Sequence, residues 1–195
     1  YYGLRMQLLT YLLVTKNLLE HTEGKPVLPA GLLYYFLRNP LLTSASKISA
    51  GEAQKEIAKQ LRMPGWVLAD PEVIRAIDSS LSFIKVALKQ NGEIYAKSRG
   101  SVKTEEEFGI LLDYISYVLA DTGQTILEGE IAAAPYQLKE NTACRFCSYR
   151  AVCGFDLQIP GFAYRRLEEH EEAELMDTME IKGKEAASCS GQMHN

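Results

Sequence analysis

Apolar positions along the chain fall into short blocks separated by glycine, proline and asparagine, and their spacing switches between a helical and an alternating period. Between residues 2 and 20, Leu4, Leu8, Tyr11, Leu12 and Leu19 recur at helical spacing, and the block stops at Gly24-Lys25-Pro26, which predicts an amphipathic helix. Gly31 to Arg38 (GLLYYFLR) is short, apolar and aromatic between Pro29 and Asn39-Pro40, the pattern of a buried strand. Ala50 to Arg62 has helical spacing with alternating charge. Asp70-Pro71 supplies an N-cap and a first-position proline for a short helix through about Asp78.

Phe83 to Lys89 and Ile94 to Ser98 flank Asn91-Gly92, a hairpin signal because both turn residues tolerate positive φ. Thr104 and Glu107 form a capping box that opens a long helix through about Asp121, with Gly123 as its stop. Its core face carries Phe108, Leu111, Leu112, Ile115 and Val118 or Leu119. Ile126 to Ala132 reads as a last short strand before Pro135. Beyond Arg166 the chain turns acidic and then rich in Gly, Ser and Lys, the signature of a fraying helix.

With 195 residues, 47% of them apolar, the chain can bury a real core, and one domain with an appended segment is expected. The first residue is Tyr and apolar periodicity is already under way there, so a cut from a longer polypeptide is expected. No apolar run approaches the roughly 20 residues that cross a bilayer, and nothing resembles a signal peptide; a cytoplasmic protein is the default expectation. Net charge is −4 but unevenly spread: residues 38–103 carry 11 basic and 6 acidic side chains, residues 104–195 carry 7 and 17. The middle of the chain can face phosphate and the tail cannot, although an ordinary solvated surface also accounts for the balance.

Two constellations bear chemistry. Cys144, Cys147 and Cys153 lie within ten positions (CRFCSYRAVC), which fits a metal in a reducing compartment better than a disulfide framework. Thiolates suit zinc or iron-sulfur centres, but three are one short of a closed site. Neither His170 nor Cys189 is well placed in sequence to be the fourth ligand. At the other end, Gln7 and Tyr11 are four apart on the first helix, so an amide and a phenol share one face and can hydrogen-bond a phosphodiester backbone. Alone, that pair is commonplace.

Together these stretches resemble the C-terminal nuclease domain of the AddB family of bacterial helicase-nuclease subunits, within the RecB-like branch of the PD-(D/E)XK nucleases. The resemblance runs from Tyr1 to about Leu167. It is carried by YYGLRMQLLTYL (1–12), GLLYYFLRNP (31–40), GWVLADPEVIRAID (65–78) and GEIAAAPYQLKENTACRFCSYRAVCGFD (129–156). It implies an α/β fold, the C-terminal part of a restriction-endonuclease-like core with helical insertions and a cysteine-rich metal loop. Residues 1–135 would be the partial nuclease core, 136–166 the iron-sulfur cysteine loop and 167–195 a mobile acidic tail.

The resemblance further implies that Gln7 and Tyr11 hold DNA beside a Mg2+ centre. It implies that Cys144, Cys147 and Cys153 bind a [4Fe-4S] cluster whose fourth ligand lies far upstream, and that an AddA-like helicase-nuclease subunit is the partner. The implied activity is ATP-dependent exonucleolytic processing of double-strand DNA ends for recombinational repair. In that family the acidic metal ligands and the Asp-x-Lys motif precede the Gln-x3-Tyr helix, and this chain carries neither, so the expectation is that it hydrolyses no DNA by itself. Two rival readings stay open: a non-catalytic metal-stapled DNA-binding or subunit-docking module, and a zinc protein using His170 or Cys189.

Overall fold

A computed structural model describes residues 2–4, 6–35, 37, 40–43 and 47–190, with side chains described through residue 185. The chain folds as two compact units, one formed by residues 6–112 and the other by residues 1–5 with 113–195.

In the first unit, helix α1 (Gln7–Glu23) is followed by strand β1 (Gly31–Leu33), helix α2 (Ala50–Gln60), strand β2 (Gly65–Leu68), helix α3 (Pro71–Ile77) and strand β3 (Val102–Lys103). The strands form a mixed sheet in the order β1-β2-β3, with Leu32 opposite Trp66 in the antiparallel pair and Val67 beside Val102 in the parallel pair. Val67, Ile74, Ile84, Val86 and Val102 form the buried cluster beneath it. Each such side chain contributes about 1.5 to 3 kcal/mol on leaving water.

Local sequence signals explain the element starts. Ser49 and Glu52 exchange the reciprocal hydrogen bonds of a capping box at α2. Asp70 caps α3 by accepting from the Glu72 amide at 2.7 Å, with Pro71 next. Thr104 and Glu107 form the predicted box at helix α4 (Glu105–Leu127), through contacts of 2.7 and 3.1 Å. Phe108, Leu111 and Leu112 on its first turns are buried, as predicted.

Several predicted bounds are corrected. The first helix starts at Gln7 rather than residue 2, because Gly3 sits at φ 73°, which a continuing right-handed helix cannot hold; the helix stops at left-handed Gly24. Its predicted core face is only partly covered: no residue of α1 is fully buried, and Tyr11 and Leu19 are exposed.

The predicted strand 31–38 ends at Leu33. Tyr34 N–H still donates to the Pro64 carbonyl at 2.8 Å, but Pro64 has no N–H to return, so the ladder stops. Phe36 and Arg38 lie outside the described residues. The hairpin is real but short. Gly92 at φ 86° closes a three-residue loop in which Lys89 N–H reaches the Glu93 carbonyl at 2.7 Å, and Leu88 bridges Ile94. Pairing then ends because the Ala87 amide donates to the Ser98 hydroxyl, and residues Ala96–Ser101 coil into a 3-10 turn instead of a strand.

In the second unit, α4 runs through Gly123 to Leu127, overturning both the predicted stop and the strand at 126–132. One glycine costs a helix about 1 kcal/mol, too little to end a helix that continues on both sides. Strand β4 (Tyr136–Leu138) instead follows Pro135. It pairs antiparallel with β5 (Asn141–Thr142) and, after helix α5 (Arg150–Cys153), parallel with β6 (Arg165–Leu167). Helix α6 (Glu172–Ser190) occupies most of the acidic segment. Met179 is buried, and Gly183 lies against Asp113 so closely that a Cβ there would sit 3.1 Å from the Asp113 Cβ. Tyr2 is held to the same unit: its hydroxyl donates to the Glu168 carbonyl at 2.9 Å and lies 3.1 Å from His170 Nε2.

Candidate functional site

Helix α1 presents Gln7 and Tyr11 together. Four-residue spacing puts both on one face, and Gln7 Nε2 donates to the Tyr11 hydroxyl oxygen at 2.9 Å. Both side chains are exposed, Tyr11 by 59%. Because the phenol oxygen is the acceptor in that bond, its own O–H and the second amide N–H of Gln7 stay available to donate to a phosphate oxygen. Further along, Lys16 pairs with Glu20 at 2.8 Å, and Glu20 also accepts from the Val27 amide at 3.0 Å. The Lys16 hydrogen bond, helped by the Val27 amide, lowers the Glu20 pKa, so this end of the helix holds an internal ion pair rather than a spare carboxylate.

The other candidate lies in the second unit. Cys144 sits in a 3-10 turn spanning Ala143–Phe146, closed by the Cys147 amide reaching the Cys144 carbonyl at 3.4 Å. Cys153 ends α5, after which Gly154 turns the chain at φ 67°. Cys144 is half-buried, and Cys147 and Cys153 are exposed. Among the described residues, no group of three or more His, Cys, Asp and Glu side chains is gathered to hold a metal ion. The donor chemistry nevertheless fits a soft metal centre: three thiols on one short loop, the exposed apolar Phe146, Tyr149 and Val152 around them, and Arg145 stacked 5.2 Å over the Phe146 ring. His170 is a poor fourth ligand, since Nε2 faces Tyr2 and Nδ1 lies 3.4 Å from Glu174. The Cys189 side chain lies outside the described ones.

Acidic residues with catalytic potential elsewhere are committed to structure. Asp70 is the α3 cap. Asp78, expected on a solvated face, is only 6% exposed and accepts four hydrogen bonds: from the Ser80 amide (3.2 Å) and hydroxyl (2.7 Å), and from the amides of Phe83 (2.6 Å) and Ile84 (3.2 Å). Burial opposes its ionisation, but those four bonds outweigh burial and hold its pKa below the ordinary aspartate value. The sequence contains no Asp-x-Lys. Its two Glu-x-Lys triplets, Glu23 to Lys25 and Glu180 to Lys182, fall at the end of α1 and inside α6, not on a strand. No helix among the described residues is long and apolar enough to cross a membrane.

Comparison with known proteins matches residues 1–154 to the model of the PD-(D/E)XK nuclease superfamily. The curated relatives that match are named as the B-type subunit of an ATP-dependent helicase/deoxyribonuclease. Among them, the protein of Desulforamulus reducens is 40% identical over 175 residues, 88% of this chain and 15% of its own length. That of Listeria welshimeri is 34% identical over 189 residues, 94% of this chain and 16% of its own length. That of Bacillus cereus strain G9842 is 37% identical over 184 residues, 91% and 16% respectively. The chain thus spans roughly a sixth of the relatives it matches. With an α/β framework, an exposed Gln-x3-Tyr pair and a superfamily match covering most of its residues, the chain belongs to the PD-(D/E)XK nucleases.

Proposed function

We infer that the chain is the C-terminal part of the nuclease domain of an ATP-dependent helicase-nuclease, which degrades double-strand DNA ends for recombinational repair beside an AddA-like partner. The observation that carries this is the 34 to 40% identity to helicase/deoxyribonuclease proteins over 88 to 94% of the chain. Residues 1–135 belong to the nuclease core, and 136–166 form the cluster loop. In the intact site Mg2+ supplies charge stabilisation and water activation, and carboxylates outside residues 1–195 hold it. Within this chain, Gln7 and Tyr11 position the DNA backbone by hydrogen bonds to phosphate. Cys144, Cys147 and Cys153 hold a [4Fe-4S] cluster with a fourth thiolate from outside the chain, and the cluster adds folding stability by binding only the folded loop.

The test uses the 195-residue chain, prepared without oxygen and loaded with iron and sulfide. It should carry iron and acid-labile sulfide in equal amounts, lost on Cys144→Ser. It should bind blunt duplex ends without hydrolysing them in Mg2+, with affinity falling about tenfold on Gln7→Ala, as expected for a lost hydrogen bond to a charged group. Zinc in place of iron would overturn the cluster. Mg2+-dependent cleavage abolished by Gln7→Ala would overturn the placing of the catalytic ligands outside the chain.

A further inference from the structure

Residues 79–104 carry five basic side chains and one acid. The acid, Glu93, is taken by Lys89 at 2.6 Å. Lys103 is buried beside Trp66 and Glu107, leaving Lys85, Lys97 and Arg99 on the surface. Among the described residues none of these three makes an ion pair with an acid.

The backbone gathers them. Ile84 and Val86 point into the core, so Phe83 and Lys85, which alternate with them, point out. Leu88 and Ile94 bridge and both pack inward, which turns Ala87 and Tyr95, joined by a 3.1 Å backbone hydrogen bond, to the outward face as well. The Ala87 amide bond to the Ser98 hydroxyl then holds the 3-10 turn with Lys97 and Arg99 against the same hairpin. Lys97 Nζ lies 5.3 Å over the Tyr95 ring, so that cation and that aromatic share one side. Arg62 reaches the edge, donating to the Ser82 carbonyl at 3.2 Å.

An outward face of cations interleaved with rings is the arrangement that binds unpaired nucleic acid: phosphates meet the charges and bases stack on the rings. Phe83 is 60% exposed and Tyr95 42%. A duplex buries its base faces and has no use for an exposed ring, whereas a single strand does. We propose that the hairpin face formed by Phe83, Lys85, Tyr95, Lys97 and Arg99 is a docking track for single-stranded DNA. It rests on the DNA-processing reading above and adds to Gln7 and Tyr11 a second DNA-binding surface that takes the unwound strand.

The experiment measures binding of a fluorescently labelled oligothymidine by the 195-residue chain across a salt series, by anisotropy. Phe83→Ala should weaken binding about tenfold without changing the salt slope, since stacking carries no charge. Lys85→Ala with Lys97→Ala should flatten the slope of log affinity against log salt by about 1.4, at roughly 0.7 per lost phosphate contact. Lys25→Ala, on another segment, controls for general charge loss, and circular dichroism checks that each variant is folded. Unchanged affinity and slope in both patch variants would overturn the track. So would absence of single-strand binding, or tighter binding of a duplex of the same length. The broader reading has its own readouts, iron content and the effect of Gln7→Ala on duplex ends, so its failure is seen separately.

Discussion

Asp78 offers the sharpest test of the first unit. Its carboxylate gathers a loop that would otherwise leave the Phe83 and Ile84 amides pointing at apolar core. Asp78→Ala removes all four acceptor contacts. The Ser80 amide and hydroxyl, in a partly exposed turn, can turn to water, but the Ile84 amide is buried and the Phe83 amide partly so. An unsatisfied buried donor costs about 1 to 3 kcal/mol. Taking about 2 for Ile84 and about 1 for Phe83 gives a destabilisation of about 3 kcal/mol.

Asp78→Asn should cost roughly half that, because one amide oxygen can still face the two backbone donors while its NH2 turns to the Ser80 hydroxyl. Urea unfolding followed by Trp66, the chain's single tryptophan, reports this unit directly. The folded carboxyl titrates below the unfolded one, so its contribution is present above the ordinary aspartate pKa of about 3.9 and disappears as pH falls through the lower, folded value. The gap between wild type and Asp78→Ala should be level above about pH 5 and shrink below about pH 4. A variant within about 0.5 kcal/mol of wild type at neutral pH would refute the assignment, since that is the range of ordinary surface changes.

Two further substitutions probe packing by the same unfolding measurements. Gly65→Ala puts a Cβ 2.1 Å from the Leu32 carbonyl oxygen, at a residue already at φ 147°, so it should part β1 from β2 and cost about 3 kcal/mol or more; a melt like wild type would show the two strands are not so apposed. Gly183→Leu drives a side chain into Asp113 and should lower stability by about 1 to 3 kcal/mol, whereas a gain in stability, as from helix propensity alone, would mean α6 does not pack there.

What could be read from sequence was what neighbours in sequence decide. Asp70-Pro71 and the Thr104 to Glu107 box begin helices through contacts two or three residues apart, and Gln7 meets Tyr11 through one helical turn. Apolar spacing also picked Phe108, Leu111, Leu112 and Ile115 as core. Failures came where distant partners decide. Strand β1 ends at Leu33 because of Pro64, which is remote in sequence. β6 is Arg-Arg-Leu, with no apolar alternation to advertise a strand, and exists because β4 offers it a parallel edge from the far side of the cysteine loop. Asp78 looked like a surface acid because the amides that bury it, those of Phe83 and Ile84, come five and six residues later, outside the reach of a helix cap. The outward pairing of Phe83 and Lys85 was visible as alternation, but joining them to Lys97 needed the Ser98 hydroxyl bond.

The tie between Tyr2 and the stretch around Glu168 fixes an order of events during synthesis. These partners are 166 residues apart. At about 5 to 20 residues per second, a ribosome delivers Glu168 roughly 10 to 30 s after Tyr2. Residues 6–112 are complete well within that interval and, with mostly short-range pairings, can fold as they emerge. Residues 2–4 meanwhile wait without their eventual partner while the unit that follows them in sequence is already formed. This stretch of nascent chain therefore matures from the middle outward, and Tyr2, among the first of its residues to leave the ribosome, is among the last to find its place.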